Sequence, residues 1–359
     1  MGPWTNWAGN VTFEATEWHS PRTEEEIVAA VRRAHELHAS LRVAGIGHTF
    51  NSMMSCDGGI GVLLKRYTKV LKIDREHLSV TVQAGITLTM LLEQLEDVGL
   101  TLDNVPIITS VTVGGALATC THGSGRHHTS LSSHLISCRL VTGVGEVITV
   151  TEGGVNADLL PAVRVSLGAL GVISTATLRV VPAFKLHLVE QPMALYECLG
   201  QIHALADRYE YFKTWWVPHT GMTHNFCITR DERALPPADP PQSKEAERVS
   251  HWLEKTLSGS KFVEDLFGLV AADPTTMPFV NQALRSAQYV SRTHCDASDA
   301  ILTNRHWRSE SAGCRFDVME YAIPVEHVEA AVGEPTPLAP GSSPAVQRDK
   351  CLQVLARIR

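Results

Sequence analysis

His48 stands where a run able to form a buried strand, LRVAGI at 41–46, turns into a glycine-flanked bend. With the Thr49 hydroxyl and the Asn51 amide just after it, a histidine in this place can hold or tether a bound group. The same position also suits an ordinary hydrogen-bonded loop residue. The second chemically marked stretch is 109–125, TSVTVGGALATCTHGSG, where six Ser or Thr and four Gly leave few bulky side chains over the backbone. Backbone N–H groups left open in that way suit a phosphate or pyrophosphate; the competing reading is a tight turn with glycines for close packing. No G-x-x-x-x-G-K-S/T and no clean G-x-G-x-x-G followed by an acid occurs, so neither a P-loop nor a Rossmann fingerprint is present.

His122, His127, His128 and His134, with Cys120 and Cys138 nearby, invite a metal reading. Their spacing matches no H-E-x-x-H or C-x-x-C framework, which favours loop histidines near a bound anion; no metal ligand is assigned. A serine hydrolase is excluded by the absence of a G-x-S-x-G elbow.

The elements that must position these residues are legible in outline. Thr23 followed by Glu26 predicts a capping box, and Ile27, Val28, Val31, Ala34 and Leu37 make one apolar stripe behind it. Strands are predicted at 60–64, 69–73 and 77–85, then a helix at 87–98 stopped by Gly99. A hairpin follows around Gly143–145, then a short helix capped by Asn156 and running to Leu167, then a β-branched strand at 170–181. The composition changes after Pro182, which predicts a domain boundary there. Beyond it lie a strand at 212–218, an exposed loop at 236–247, a helix carrying Val249, Trp252, Leu253 and Leu257, a strand at 314–324 and a helix from Val325.

The chain of 359 residues, 44% hydrophobic, can bury a sizeable core, and its net charge of −7 without basic clusters gives no footprint for nucleic acid. No leader is evident and no run is apolar for about 18 residues, so no membrane span and a cytoplasmic location are expected. The 8 cysteines are scattered singly, as buried thiols would be.

G-I-G-H-T-F-N at 45–51, T-V-G-G-A-L-A-T-C-T-H-G-S-G at 112–125 and L-G-A-L-G-V-I-S at 167–174, with N-W-A-G-N at 6–10, occur in the order and spacing of a known family. The chain resembles the FAD-linked oxidases of the vanillyl-alcohol oxidase superfamily, within them the sugar-1,4-lactone oxidases and the alditol or xylitol oxidases. The resemblance implies an α+β fold: a two-subdomain FAD-binding domain at 1–183 and an antiparallel-sheet substrate domain at 184–332, incomplete; the divergent tail at 333–359 begins proline- and glycine-rich without a period, which predicts poor structure. The resemblance implies FAD linked covalently through His48, with Ile46, Gly47, Thr49, Ser110, Gly114, Gly115, Thr119, Gly123 and Ser124 around the flavin and pyrophosphate and Ile173 at the adenine end. It further implies oxidation of a CH–OH group of a sugar alcohol or sugar lactone, hydride transfer to the flavin and reoxidation by O2 to give H2O2.

The family's later motifs, a Glu-x-Arg pair and a terminal H-W-x-K, do not occur. The match runs through M-E-Y-A-I-P at 319–324 and departs at about Gly333, and His306-Trp307-Arg308 lies too early to stand for the terminal motif. No catalytic base is assigned, and weak or absent turnover is expected of a truncated chain. A non-catalytic flavin-binding or scaffold protein is the alternative from another class, and a histidine-based metal protein a weaker one.

Overall fold

A computed structural model describes residues 2–216, 220–231, 233, 272–288 and 292–302. The sequence expectations for the 236–247 loop, the Val249–Leu257 helix, the 314–324 strand, the helix from Val325 and the 333–359 tail lie outside the described residues. The chain divides into two compact units, one built on Met1–Phe184 with a return of chain at Ala297–Thr303, the other built on Lys185–Asp296.

In the first unit, β1 (Trp4–Thr5) and β2 (Thr12–Phe13) form a small antiparallel pair. β3 (Glu17–His19), β4 (Leu41–Ala44) and β5 (Ile60–Leu63) form a parallel sheet with β5 in the centre. All four β5 residues are buried, as expected of a strand covered on both faces. Helix α1 (Glu24–Glu36) connects β3 to β4 and buries Ile27, Ala30, Val31 and Ala34. Thr23 accepts from Glu26 N–H at 3.3 Å, but the Glu26 carboxylate reaches past the cap residue to Arg22 N–H at 2.6 Å, a variant of the predicted capping box.

A second, antiparallel sheet is ordered β10-β9-β11-β7-β6, from β6 (Val70–Asp74), β7 (Ser79–Gln83), β9 (Leu135–Val141), β10 (Val147–Thr151) and β11 (Val172–Arg179). Helix α2 (Leu88–Glu96) buries Leu88, Leu91, Leu92 and Leu95 and is capped by Thr87. The two-residue strands β8 (Leu100–Thr101) and β12 (Val181–Pro182) pair and close the unit. The parallel and antiparallel sheets are the two subdomains. Glu24 at the start of α1 ties them together: it takes a forked pair of bonds from Arg139 on β9 and a 2.7 Å bond from the Ser174 hydroxyl on β11.

Two local expectations are corrected. Residues 109–125, read from composition as an open phosphate-binding run or a tight turn, contain helix α3 (Val113–Ala118), because Thr112 caps it and its first turn hydrogen-bonds to Ala84 and Ile86, overriding the poor propensity of Gly114 and Gly115. Asn156 does not cap a helix through its side chain. It sits left-handed at φ 52° and donates to the Thr149 carbonyl at 2.8 Å, and the helix behind it, α4 (Leu160–Arg164), stops short of Leu167.

The second unit carries a sheet ordered β14-β15-β13-β16, from β13 (Lys185–Ala194), β14 (Tyr211–Trp216), β15 (Met222–Thr229) and β16 (Arg292–Ala297). Helix α5 (Leu195–Arg208) packs on one face of it, where Val189, Cys198, Leu205, Tyr209 and Cys227 form a closed apolar cluster. Among the described residues, no helix is long and apolar enough to cross a membrane.

Candidate cofactor site

The loop after β4 is held from below by the N-terminal segment. Asn6, 2% exposed, donates to the Thr49 carbonyl at 2.9 Å and to Asn10 at 2.7 Å, while its own carbonyl takes Val11 N–H at 3.1 Å. Asn10 donates to the Phe50 carbonyl at 3.0 Å, and Trp7 N–H to the Gly47 carbonyl at 2.9 Å. The Trp7 ring stacks on the His48 imidazole with centroids 4.7 Å apart and planes 23° from parallel, and Phe50 meets the imidazole edge-on at 6.2 Å. His48 is thus fixed in orientation on a half-buried aromatic bed. Gly47 has φ 82° and lies so close to Trp4 that a β-carbon would come 2.8 Å from the indole, so only glycine fits.

This loop meets the glycine-rich run at one point. A β-carbon on Gly45 would stand 2.8 Å from the Thr112 hydroxyl, which already accepts from Gly115 N–H at 3.3 Å to cap α3. The structure therefore brings 45–51 and 109–125 side by side. The amides at the start of α3 are engaged: Val113 donates to Ile86 and Gly114 to Ala84, each at 2.8 Å. Those N–H groups are not the open donors that composition suggests. Farther on, Gly123 packs directly on Asn104 and Val105, and among the described residues no hydrogen bond engages the N–H groups of Gly123, Ser124 or Gly125.

The other candidates fall around these two loops or away from them. Ile46 is 38% exposed, Thr49 and Ser110 are half-buried, and Thr119 is exposed with its hydroxyl turned back to Gly115 at 2.9 Å. Ile173 is 7% exposed inside β11, opposite Leu140. His128 and His134 converge on Asp103 at 3.3 and 3.1 Å. Burial would raise the Asp103 carboxyl, but hydrogen bonds from the two histidines outweigh it and hold the group well below the usual carboxylate range. Among the described residues no three His, Cys, Asp or Glu side chains are placed to hold a metal ion. The clamp formed by Asn6, Trp7 and Asn10 escapes a reading of spacing alone, although N-W-A-G-N was among the motifs of the resemblance.

A family model described as an FAD binding domain matches residues 19–151, and one described as D-arabinono-1,4-lactone oxidase matches residues 176–336. The chain is 30% identical to L-gulonolactone oxidase of Mus musculus over 92% of its length and 71% of that protein. The chain belongs to the FAD-linked aldonolactone oxidases. L-gulono-1,4-lactone dehydrogenase of Mycobacterium tuberculosis, also 30% identical over 92% of this chain and 73% of its own length, falls in the same family. The fold is shared with cholesterol oxidase from B. sterolicum, at TM-score 0.64 and 16% identity, covering 79% of this chain and 57% of that one. The match to the FAD binding domain, residues 19–151, lies within the first unit of this aldonolactone oxidase relative.

The residues present fit that cofactor. The N–H groups of Gly123, Ser124 and Gly125, which no hydrogen bond engages among the described residues, are the donors a pyrophosphate needs.

Proposed function

We propose that the chain is an FAD-dependent oxidoreductase acting on the CH–OH group of an aldono-1,4-lactone or a related polyol, with FAD joined through His48. The observation that carries this reading is the loop 45–51, clamped by the N-terminal segment and abutting the glycine-rich run inside the FAD-binding domain. When bound, FAD supplies the two-electron acceptor for the hydrogen on the substrate carbon, and O2 as final acceptor gives H2O2. The protein's part is position. Trp7 and Phe50 hold the His48 ring in one orientation, Ile46, Gly47 and Thr49 form the backbone wall, and Ser110, Gly114, Gly115 and Thr119 border it from the second loop. Gly123 and Ser124 offer their N–H groups to the pyrophosphate, and Ile173 packs towards the adenine end. The first unit is the flavin domain and the second the substrate domain.

The purified chain is expected to be yellow, with the colour retained by acid-precipitated protein. His48→Ala should release flavin on denaturation while leaving the fold intact; flavin that stays attached places the link elsewhere. Peroxide release with L-gulono-1,4-lactone, L-galactono-1,4-lactone, xylitol and sorbitol tests the reaction: robust turnover refutes the expectation of weak activity without the Glu-x-Arg and H-W-x-K motifs, and a colourless chain rejects the flavin reading.

A further inference from the structure

The two faces of the β14-β15-β13 sheet differ in chemistry. One carries Val189, Phe212 and Cys227, in register across three strands, and is sealed by α5. On the other face the register lines up Glu190, Phe226 and Lys213, with His224 and Trp215 two residues away on the same side. There His224 Nε2 lies 2.9 Å from Glu190 Oε2, and the Lys213 ammonium sits 4.3 Å from the Phe226 ring centre and 5.7 Å from that of Trp215. His224 and Phe226 are buried, 4% and 2% exposed, whereas Lys213, Trp215 and Glu190 are half-buried.

Burying a lysine, a histidine and a glutamate on one sheet face costs desolvation that apolar residues would avoid, and such clusters concentrate where ligands bind. Burial draws the Lys213 amine down to about 8, against the opposing pull of Glu190. The mix of groups also limits the ligand. An anion would meet the Glu190 carboxylate and a cation the Lys213 ammonium, while a neutral, hydroxyl-rich ring can donate to the one, accept from the other and lay its C–H face on the Trp215 indole.

We propose that Glu190, Lys213 and Trp215 form a binding site for the sugar lactone on this sheet face, with His224 as the positioning residue that fixes Glu190. The proposal rests on the lactone oxidase reading for the choice of ligand. The experiment is titration calorimetry of L-gulono-1,4-lactone into the full chain with its flavin, alongside anaerobic flavin bleaching by the same lactone. Lys213→Met and the isosteric Glu190→Gln should each weaken binding about tenfold or more, the loss expected for a hydrogen bond to a charged group, with flavin content and absorbance unchanged. His224→Gln, whose amide can still reach Glu190, should retain affinity that His224→Leu loses. Unaltered affinity in both Lys213→Met and Glu190→Gln, or no binding by the wild type, overturns the site. Binding that is lost in the variants but does not bleach wild-type flavin leaves the site standing and removes the oxidase reading.

Discussion

Asn6 makes two side-chain donations and one acceptance while almost wholly buried, and two of those three bonds end on backbone. Removing such a side chain leaves the Val11 N–H and the Thr49 carbonyl without their partner, a cost of about 2–3 kcal/mol. Asn6→Ala should therefore lower the denaturation midpoint. It should also reduce the flavin-to-protein ratio, because the loop it clamps carries His48; a stability loss with full flavin occupancy would mean that the clamp serves the fold alone. The importance of Asn6 was hidden in the sequence because an asparagine near the N-terminus, far from any glycine run, is marked only by the fold that brings it under residue 49. His48, by contrast, was legible from its place after a buried-strand run, although its stacking on Trp7 was not.

At the scale of elements, the joint between the two subdomains depends on Glu24. Hydrogen bonds from Arg139 lead the causes that hold its carboxyl below the ordinary value of 4.5, against burial, with Ser174 adding to the effect. A group depressed in the folded state contributes stability that is fully present above its unfolded value and is lost as pH falls from about 4.5 through the folded one. Glu24→Gln should cost about 1 kcal/mol at neutral pH, because solvent screens the pair with the exposed Arg139. Its gap to the wild type should close on acidification through that window, as read by urea unfolding at a series of pH values; a gap independent of pH would show that the charge is not what matters. The helices α1 and α2 and the strands of the antiparallel sheet were readable because their apolar spacing and caps agree with their tertiary setting. Helix α3 was not, since two glycines speak against a helix and only the distant partners Ala84 and Ile86 impose it. Asn156 misled for a related reason: a residue suited to capping is equally suited to a left-handed turn.

For the whole molecule, the first unit holds the FAD-binding match and the second carries a sheet with one apolar and one polar face. A ligand that binds only the folded chain stabilises it in proportion to its affinity, by about 2.7 kcal/mol at a hundredfold excess over Kd. Added FAD should thus raise the melting temperature of His48→Ala apoprotein, and riboflavin, which lacks the pyrophosphate and adenine, should raise it far less. Equal shifts would argue against a pyrophosphate site near Gly123 and Ser124.

The meeting of Gly45 with Thr112 has a consequence in time as well as in space. The β5, β6 and β7 strands and α2 lie between those residues in sequence, and Val113 and Gly114 donate to the Ile86 and Ala84 carbonyls that flank the start of α2. Contacts of such long sequence separation close late, after local helices and hairpins. By that measure the contact between the two loops closes after the β9–β10 hairpin, whose paired residues are near one another in sequence. In pulse-labelling hydrogen exchange during refolding, the amides of Val113 and Gly114 should gain protection after those of β9 and β10.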